Sequence, residues 1–321
     1  MEGEQLAKSQ LGSSYEIKDL GKAKLILNMH INRNLLGDVT LSQHAYCEHF
    51  LKQFNMDLCS PTTTPLPSGL VLSAENCPST PDEVDEMKNT LFYEALGSLM
   101  WLQVAIRPDL VYSVNKLAHF THNPGKTHWN ALKHMLTYVK GMMNYEITYK
   151  GGGDLEPIGY INSNYAGCKD TRRSTEGNIF IIAGGLISWE CKRQDMVTLS
   201  MVEVEFMAFS KATTQALWLS KYCDKVGLPI TRPLKIFADN SGSISNSLSD
   251  KNYQYTKHIN MQHHFIKEHT KLDDIAFQYT TTTENIANIL TKELPQDTLH
   301  KFICRIGLNP RVANTSVQEE C

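Results

Sequence analysis

Apolar and polar residues alternate in period two along "GYINSNYAG", like a strand, and three successive strands are read at 156–164, 175–183 and 186–192. A helical stripe follows: Val202, Phe206, Phe209, Ala212, Ala216 and Leu219 share one side of a helix over roughly 201–226. After it come a strand "PLKIFAD", a short helix after "SGS" and a helix through "TKHINMQHHFIKEHTKL". A strand "IAFQYTT" and a final helix through "ENIANILTKEL" complete the series. Three strands and then alternating helices and strands imply an α/β unit built on a mixed sheet. Upstream, "KAKLILNMHINRN" and "DVTLSQ" read as strands and "HAYCEHFLKQF" as a helix. Helical spacing returns in "LFYEALGSLMWLQVAIRPDLVYSVNKLAHF", interrupted at "RPD", and in "KTHWNALKHMLTYVKGMM". Between them "SPTTTPLPSGLVLSAENCPSTPDE", rich in Pro, Ser and Thr, reads as a loop or linker.

The glycines of "YKGGGDLEP" mark the expected boundary, giving a mixed, mainly helical unit over 1–150, the α/β unit over 151–310 and a frayed tail over 311–321. With 41% hydrophobic and 20% charged residues in 321, the composition is that of a globular protein able to bury two cores. A net charge of −3, with no basic excess in either half, leaves any nucleic-acid role to local patches. The eight cysteines show no two-residue spacing of a zinc site and read as reduced thiols. "IFIIAGGLISW" is too short to span a bilayer, and "MEGEQLAKSQ" is no signal peptide, so an intracellular location, cytoplasmic or nuclear, is expected.

Several residues carry possible chemistry. Glu205 lies on the apolar stripe, three residues after Val202 and four before Phe209, so it either faces the interior or reaches out past the stripe's border. Asp239 ends a strand before the helix start "NSGS", where an Asp ordinarily caps and where α/β proteins also place their sites. In "GYINSNYAG" the strand period puts Asn162 and Asn164 on one face, an odd use of two neutral amides that are poor strand formers and costly to bury. His258, His263, His264 and His269 lack the i, i+4 spacing of a metal face. Asp273 and Asp274 read as a solvated turn, and the basic residues of "KDTRRST" and "CKRQ" as surface charges that could hold phosphates.

"TRRSTEGNIFIIAGGLISWECKRQDMVTLSMVEVEFMAFSKATTQALWL", "IFADNSGSI", "YTKHINMQHHFIKEH" and "ENIANILTK" closely resemble, in order and spacing, the ribonuclease H domain of copia-type retrotransposon polyproteins. "YEIKDLGKAKLILNMHI", "LGSLMWLQVAIRPDLVYSVNKLAHF" and "HWNALKHMLTYVKG" resemble the segment such polyproteins carry between polymerase palm and ribonuclease H. The resemblance implies a ribonuclease H-like five-stranded mixed sheet flanked by helices, preceded by a reverse-transcriptase remnant that lacks the polymerase palm and fingers and cannot polymerise by itself. It also implies Mg2+ or Mn2+ as cofactor and an RNA–DNA hybrid as partner, the RNA strand being hydrolysed at two metals. Four carboxylates hold those metals in the family, because closely spaced cations need several negative oxygens around them.

Carried over residue by residue, Glu205 and Asp239 match the helix and fourth-strand carboxylates, whereas Asn162 and Asn288 stand at the first and last Asp positions. Asn164 replaces the family's second Asp of the first strand, and Asn260 stands in "KHIN" where the family has Asp. Arg173, Lys192 and Lys257 are the expected nucleic-acid contacts. Asn keeps the shape of Asp and can coordinate through one oxygen, but carries no charge; each lost ion contact costs on the order of several kcal/mol. The expectation is a ribonuclease H-family protein with hydrolysis impaired or lost. The alternative is a non-catalytic nucleic-acid-binding or protein-interaction remnant, or a pseudogene product without a selected role.

Overall fold

A computed structural model describes residues 2–19, 21–197, 200–228, 230–248 and 257–311. The first half runs α1 (Glu2–Ser14), β1 (Leu25–Ile26), β2 (Met29–Arg33), β3 (Val39–Ser42), α2 (His44–Gln53), α3 (Pro81–Met87), α4 (Phe92–Ala105), α5 (Val111–Ala118), α6 (Lys126–Gly141) and β4 (Tyr145–Tyr149). The second continues with β5 (Ile158–Asn164), β6 (Thr175–Ile182), β7 (Gly185–Arg193), α7 (Met201–Lys225), β8 (Leu234–Ala238), α8 (Ser241–Leu248), α9 (Lys257–Lys271), β9 (Ile275–Tyr279), α10 (Gln296–Arg305) and β10 (Leu308–Pro310).

β5 to β9 form the expected mixed sheet in the order β7-β6-β5-β8-β9. β5, β6 and β7 pair antiparallel, while β5, β8 and β9 pair parallel because a helix intervenes before each return. Alternation along β6 divides its side chains between two cores: Phe180 packs with Phe206, Phe209 and Ile266 from α7 and α9, and Ile179 packs with the helices of the first half. The sheet is therefore covered on both faces. α7 starts where its sequence says it should, with the Ser200 hydroxyl accepting from the Glu203 amide at 3.2 Å.

The last part of the chain differs from expectation. The helix expected through "ENIANILTKEL" is a short 3-10 turn, Ile286–Leu290. Asn285 fixes it, accepting from the Ala287 amide at 3.2 Å while its own amide donates to the Ile161 carbonyl at 2.8 Å. Pro295 then opens a separate helix, α10, and β10 adds antiparallel to β4 as the edge of the first sheet, β1-β2-β3-β4-β10. Gly307, at φ +81°, makes the turn between them; a Cβ there would lie 2.5 Å from the Gly184 carbonyl oxygen. The boundary expected near 150 falls between strands of different sheets, yet Phe302, Ile303 and Leu308 from the expected second unit are buried in the core of the first half.

The Pro/Ser/Thr stretch is likewise more than a linker. It buries Leu66, Leu72 and Ser73, starts α3 with a Thr80–Glu83 capping box, and reaches the second half where the Ala74 amide donates to the Asp170 carboxylate at 3.0 and 3.1 Å. The "RPD" interruption is a buried ion pair: Arg107 Nη2 meets Asp109 Oδ2 at 2.6 Å, and the Tyr138 hydroxyl donates to the same oxygen at 2.8 Å. The expected tail from residue 312 onward lies outside the described residues.

Candidate functional site

The parallel pairing of β5 with β8 sets Tyr160 opposite Phe237. Two residues further along each strand, Asn162 and Asp239 reach the same level where the strands part, at the carboxyl end of the parallel pair. α7 lies across this end and brings in Glu205. A pocket of about 360 Å³ results, lined by Asn162, Ser163, Glu205, Asp239, Asn240 and Lys292 among others. Three of the four positions expected from the sequence, Asn162, Glu205 and Asp239, thus converge.

Glu205 is 9% exposed, so the interior reading of its place on the stripe holds. Its Oε1 accepts from Asn240 Nδ2 at 2.6 Å, while Oε2 is buried with no hydrogen-bond partner. Burial pushes the Glu205 carboxyl up to about 7; the Asn240 bond opposes this and the Asp239 charge adds to it. Asn240, not Asp239, is the helix cap, its Oδ1 accepting from the Ser243 amide at 3.0 Å. One side chain therefore both starts α8 and holds Glu205. Asp239, freed from capping, is half-buried on the pocket wall.

The amides of β5 have structural partners. Asn162 Nδ2 donates to the Thr291 hydroxyl, and Asn164 Nδ2 to the Thr291 carbonyl at 3.1 Å, so both tie the segment after the 3-10 turn to the sheet. Gly177, opposite Asn162, makes room for it: a Cβ would sit 2.7 Å from Leu290 Cβ. Asn288 does not join the pocket. It is 2% exposed within the turn, its Nδ2 donating to the Thr282 carbonyl at 2.7 Å and its Oδ1 buried without a partner.

Of the expected nucleic-acid contacts, neither Arg173 nor Lys192 lines this pocket. Arg173 is half-buried in the loop before β6, and Lys192 is exposed on β7 with Asp195 at 3.4 Å. Lys257 begins α9, and its side chain lies outside the described ones. Asn260 is exposed on α9. His263 packs edge-on against Phe206, and His269 Nδ1 meets Asp274 Oδ2 at 2.8 Å, so the Asp274 half of the expected solvated turn is engaged. Asn240, Ser163, Thr291 and Lys292 were missed in the sequence. Only Asn240 carried a signal, as the Asn three residues before Ser243 at a helix start.

Among the described residues no three His, Cys, Asp or Glu side chains come together as a metal site. The two carboxylates of the pocket, one with a free buried oxygen, suit a single divalent cation; a pair of cations has too few negative oxygens around it. Among the described residues no helix is long and apolar enough to cross a membrane.

No family model matches the chain. It is 35% identical over 291 residues, 90% of its length, to the Retrovirus-related Pol polyprotein from transposon TNT 1-94 of Nicotiana tabacum. To the corresponding polyprotein from transposon RE1 of Arabidopsis thaliana it is 30% identical over 298 residues, 93% of its length. The chain spans only about a fifth of these relatives, 22% and 20%. Among solved structures, RNase H1 from Halobacterium salinarum NRC-1 aligns 94% of that chain with 42% of this one at 13% identity and a TM-score of 0.31.

Proposed function

The chain belongs to the family of copia-type retrovirus-related Pol polyproteins, and we propose that its second half is a ribonuclease H-family remnant whose hydrolysis of RNA–DNA hybrids is impaired or lost. One observation carries this reading: the pocket at the carboxyl end of β5 and β8 holds Glu205 and Asp239, while the first carboxylate position is Asn162, whose amide is engaged by Thr291. Glu205 Oε2 and Asp239 would hold one divalent cation, with Asn240 fixing the Glu205 rotamer from behind. Bound there, such a cation supplies a polarised water and charge stabilisation for a leaving oxygen. The second cation of the family reaction lacks its ligands, since Asn162 is neutral and Asn288 is turned onto Thr282. Arg173, Lys192 and Lys257 are the proposed backbone contacts to nucleic acid, of which Lys192 keeps an exposed ammonium on the sheet's edge strand.

The test is cleavage of a labelled RNA–DNA hybrid by the full chain in Mg2+ and in Mn2+, beside an Asn162→Asp, Asn288→Asp version. The parent is expected to leave the hybrid intact and the restored chain to cut it. Cleavage by the parent at a rate comparable to the restored chain would overturn the reading.

A further inference from the structure

A second cavity, of about 330 Å³, opens where the first half meets the sheet. Its walls are largely apolar, with Leu70, Leu72, Tyr112 and Phe120 on the side of the first half. Four charged groups with ionic or hydrogen-bonded partners also line it. Lys116 meets Glu293 at 2.7 Å, Lys169 meets Glu75 at 2.7 Å, and the Asp170 carboxylate takes the Ala74 amide. Arg193 is the exception. Among the described residues its guanidinium meets no carboxylate, and its polar contact is Cys168 Sγ at 3.7 Å, a weak acceptor. His119 on the same wall is pushed down to about 4 by burial and by the Arg193 charge, so at neutral pH it is uncharged and adds no second cation.

Arg193 is half-buried, so in the free chain water hydrates its guanidinium, and an anion entering between the apolar walls would replace that water with a charge-assisted bond. We propose that this cavity is a binding site for a small organic anion, its charged head on Arg193 and its flat apolar body along Leu70, Leu72, Tyr112 and Phe120. The volume lies within the range of cavities that enclose small ligands, about 300–1,000 Å³. The site is distinct from the pocket of Glu205 and Asp239; Asn164, two residues along β5 from Asn162, reaches its rim. The basic residues of "CKRQ" look alike in the sequence, and only the fold separates Lys192, which faces solvent, from Arg193, which lines the cavity.

The probe is 8-anilinonaphthalene-1-sulfonate, titrated by fluorescence into the full chain, with N-phenyl-1-naphthylamine as the same apolar body without the charge. One sulfonate probe per chain is expected, bound at least tenfold more weakly by Arg193→Met, with the melting temperature and the affinity for the uncharged probe unchanged. Arg193→Lys should recover part of the loss, and Leu70→Trp should block both probes by filling the cavity. Equal binding of the sulfonate by parent and Arg193→Met would overturn the proposal, as would equal affinity of the two probes for the parent. Displacement of the sulfonate by an oligonucleotide, but not by AMP or benzoate, would also overturn it, assigning Arg193 to a nucleic-acid backbone.

Discussion

Glu205 decides how the candidate site responds to pH. Its carboxyl rises from an ordinary 4.5 to about 7, so between those values the folded chain holds a proton that the unfolded chain has released. Stability contributed by this group is complete below about 4.5 and is lost as pH rises through about 7, a change on the order of 3 kcal/mol. Melting curves from pH 4 to 8.5 should show this fall in the parent and its absence in Glu205→Gln, which melts higher at pH 8. A divalent cation competes with the same proton, so Mn2+ at pH 8 should raise the parent's melting temperature and leave the Gln variant's unchanged. At this scale the sequence was informative about Glu205, whose place on an apolar stripe left two choices, inward or out past the border, of which the structure shows the first. For Asn240 it offered only the position of a helix cap, not the bond to Glu205, which exists only because α7 crosses the end of β8. Asn288 matched a motif position, but its direction is set by a bond to Thr282 that no spacing reveals.

Among the elements, the strands were the most legible, because runs such as "LKIFAD" and "IAFQYTT" are apolar and rich in strand formers, as strands covered on both faces must be. The region after β9 was not. "ENIANILTKEL" has helical composition, yet Asn285 draws its start onto β5 and Pro295 begins α10 afresh, leaving a short 3-10 turn. That turn rests on the sheet through Gly177. Gly177→Ala would bring a methyl to 2.7 Å from Leu290 Cβ and 3.2 Å from Thr291 Cγ2, lifting the segment that both β5 amides hold. A loss of about 1–3 kcal/mol in urea unfolding is expected, together with a shift in the Asn162 and Asn164 side-chain amide resonances. Wild-type stability in that variant would show that the turn is free to move. β10 escaped the sequence because three residues are too few to show a pattern, and β4 because its five residues follow closely on α6 and run into the glycines of the expected boundary.

For the molecule as a whole, the two halves share more than a boundary. Leu308, Phe302 and Ile303 complete the core of the first half, and the Trp189 indole on β7 donates to the Gln103 carbonyl on α4 at 2.9 Å. Unfolding should therefore run as one cooperative transition, with fluorescence and far-ultraviolet dichroism coincident. Residues 1–150 produced alone should lack a cooperative melt, since they leave β4 an open edge and expose the apolar surface that α10 covers. Two resolved transitions, or a folded 1–150 fragment, would contradict this.

The return of the chain to its first sheet also sets an order of assembly during synthesis. A ribosome delivers β1 to β4 before β10, since the strand that closes their edge is read from the codons for Leu308–Pro310. Until those codons are translated the nascent chain carries an unpaired strand beside uncovered apolar residues, the surface that chaperones engage and that drives aggregation. A stop codon or frameshift upstream of the codons for Leu308–Pro310 leaves that edge open for good, so a lesion near the stretch that encodes β10 damages the fold of β1 to β4 as well.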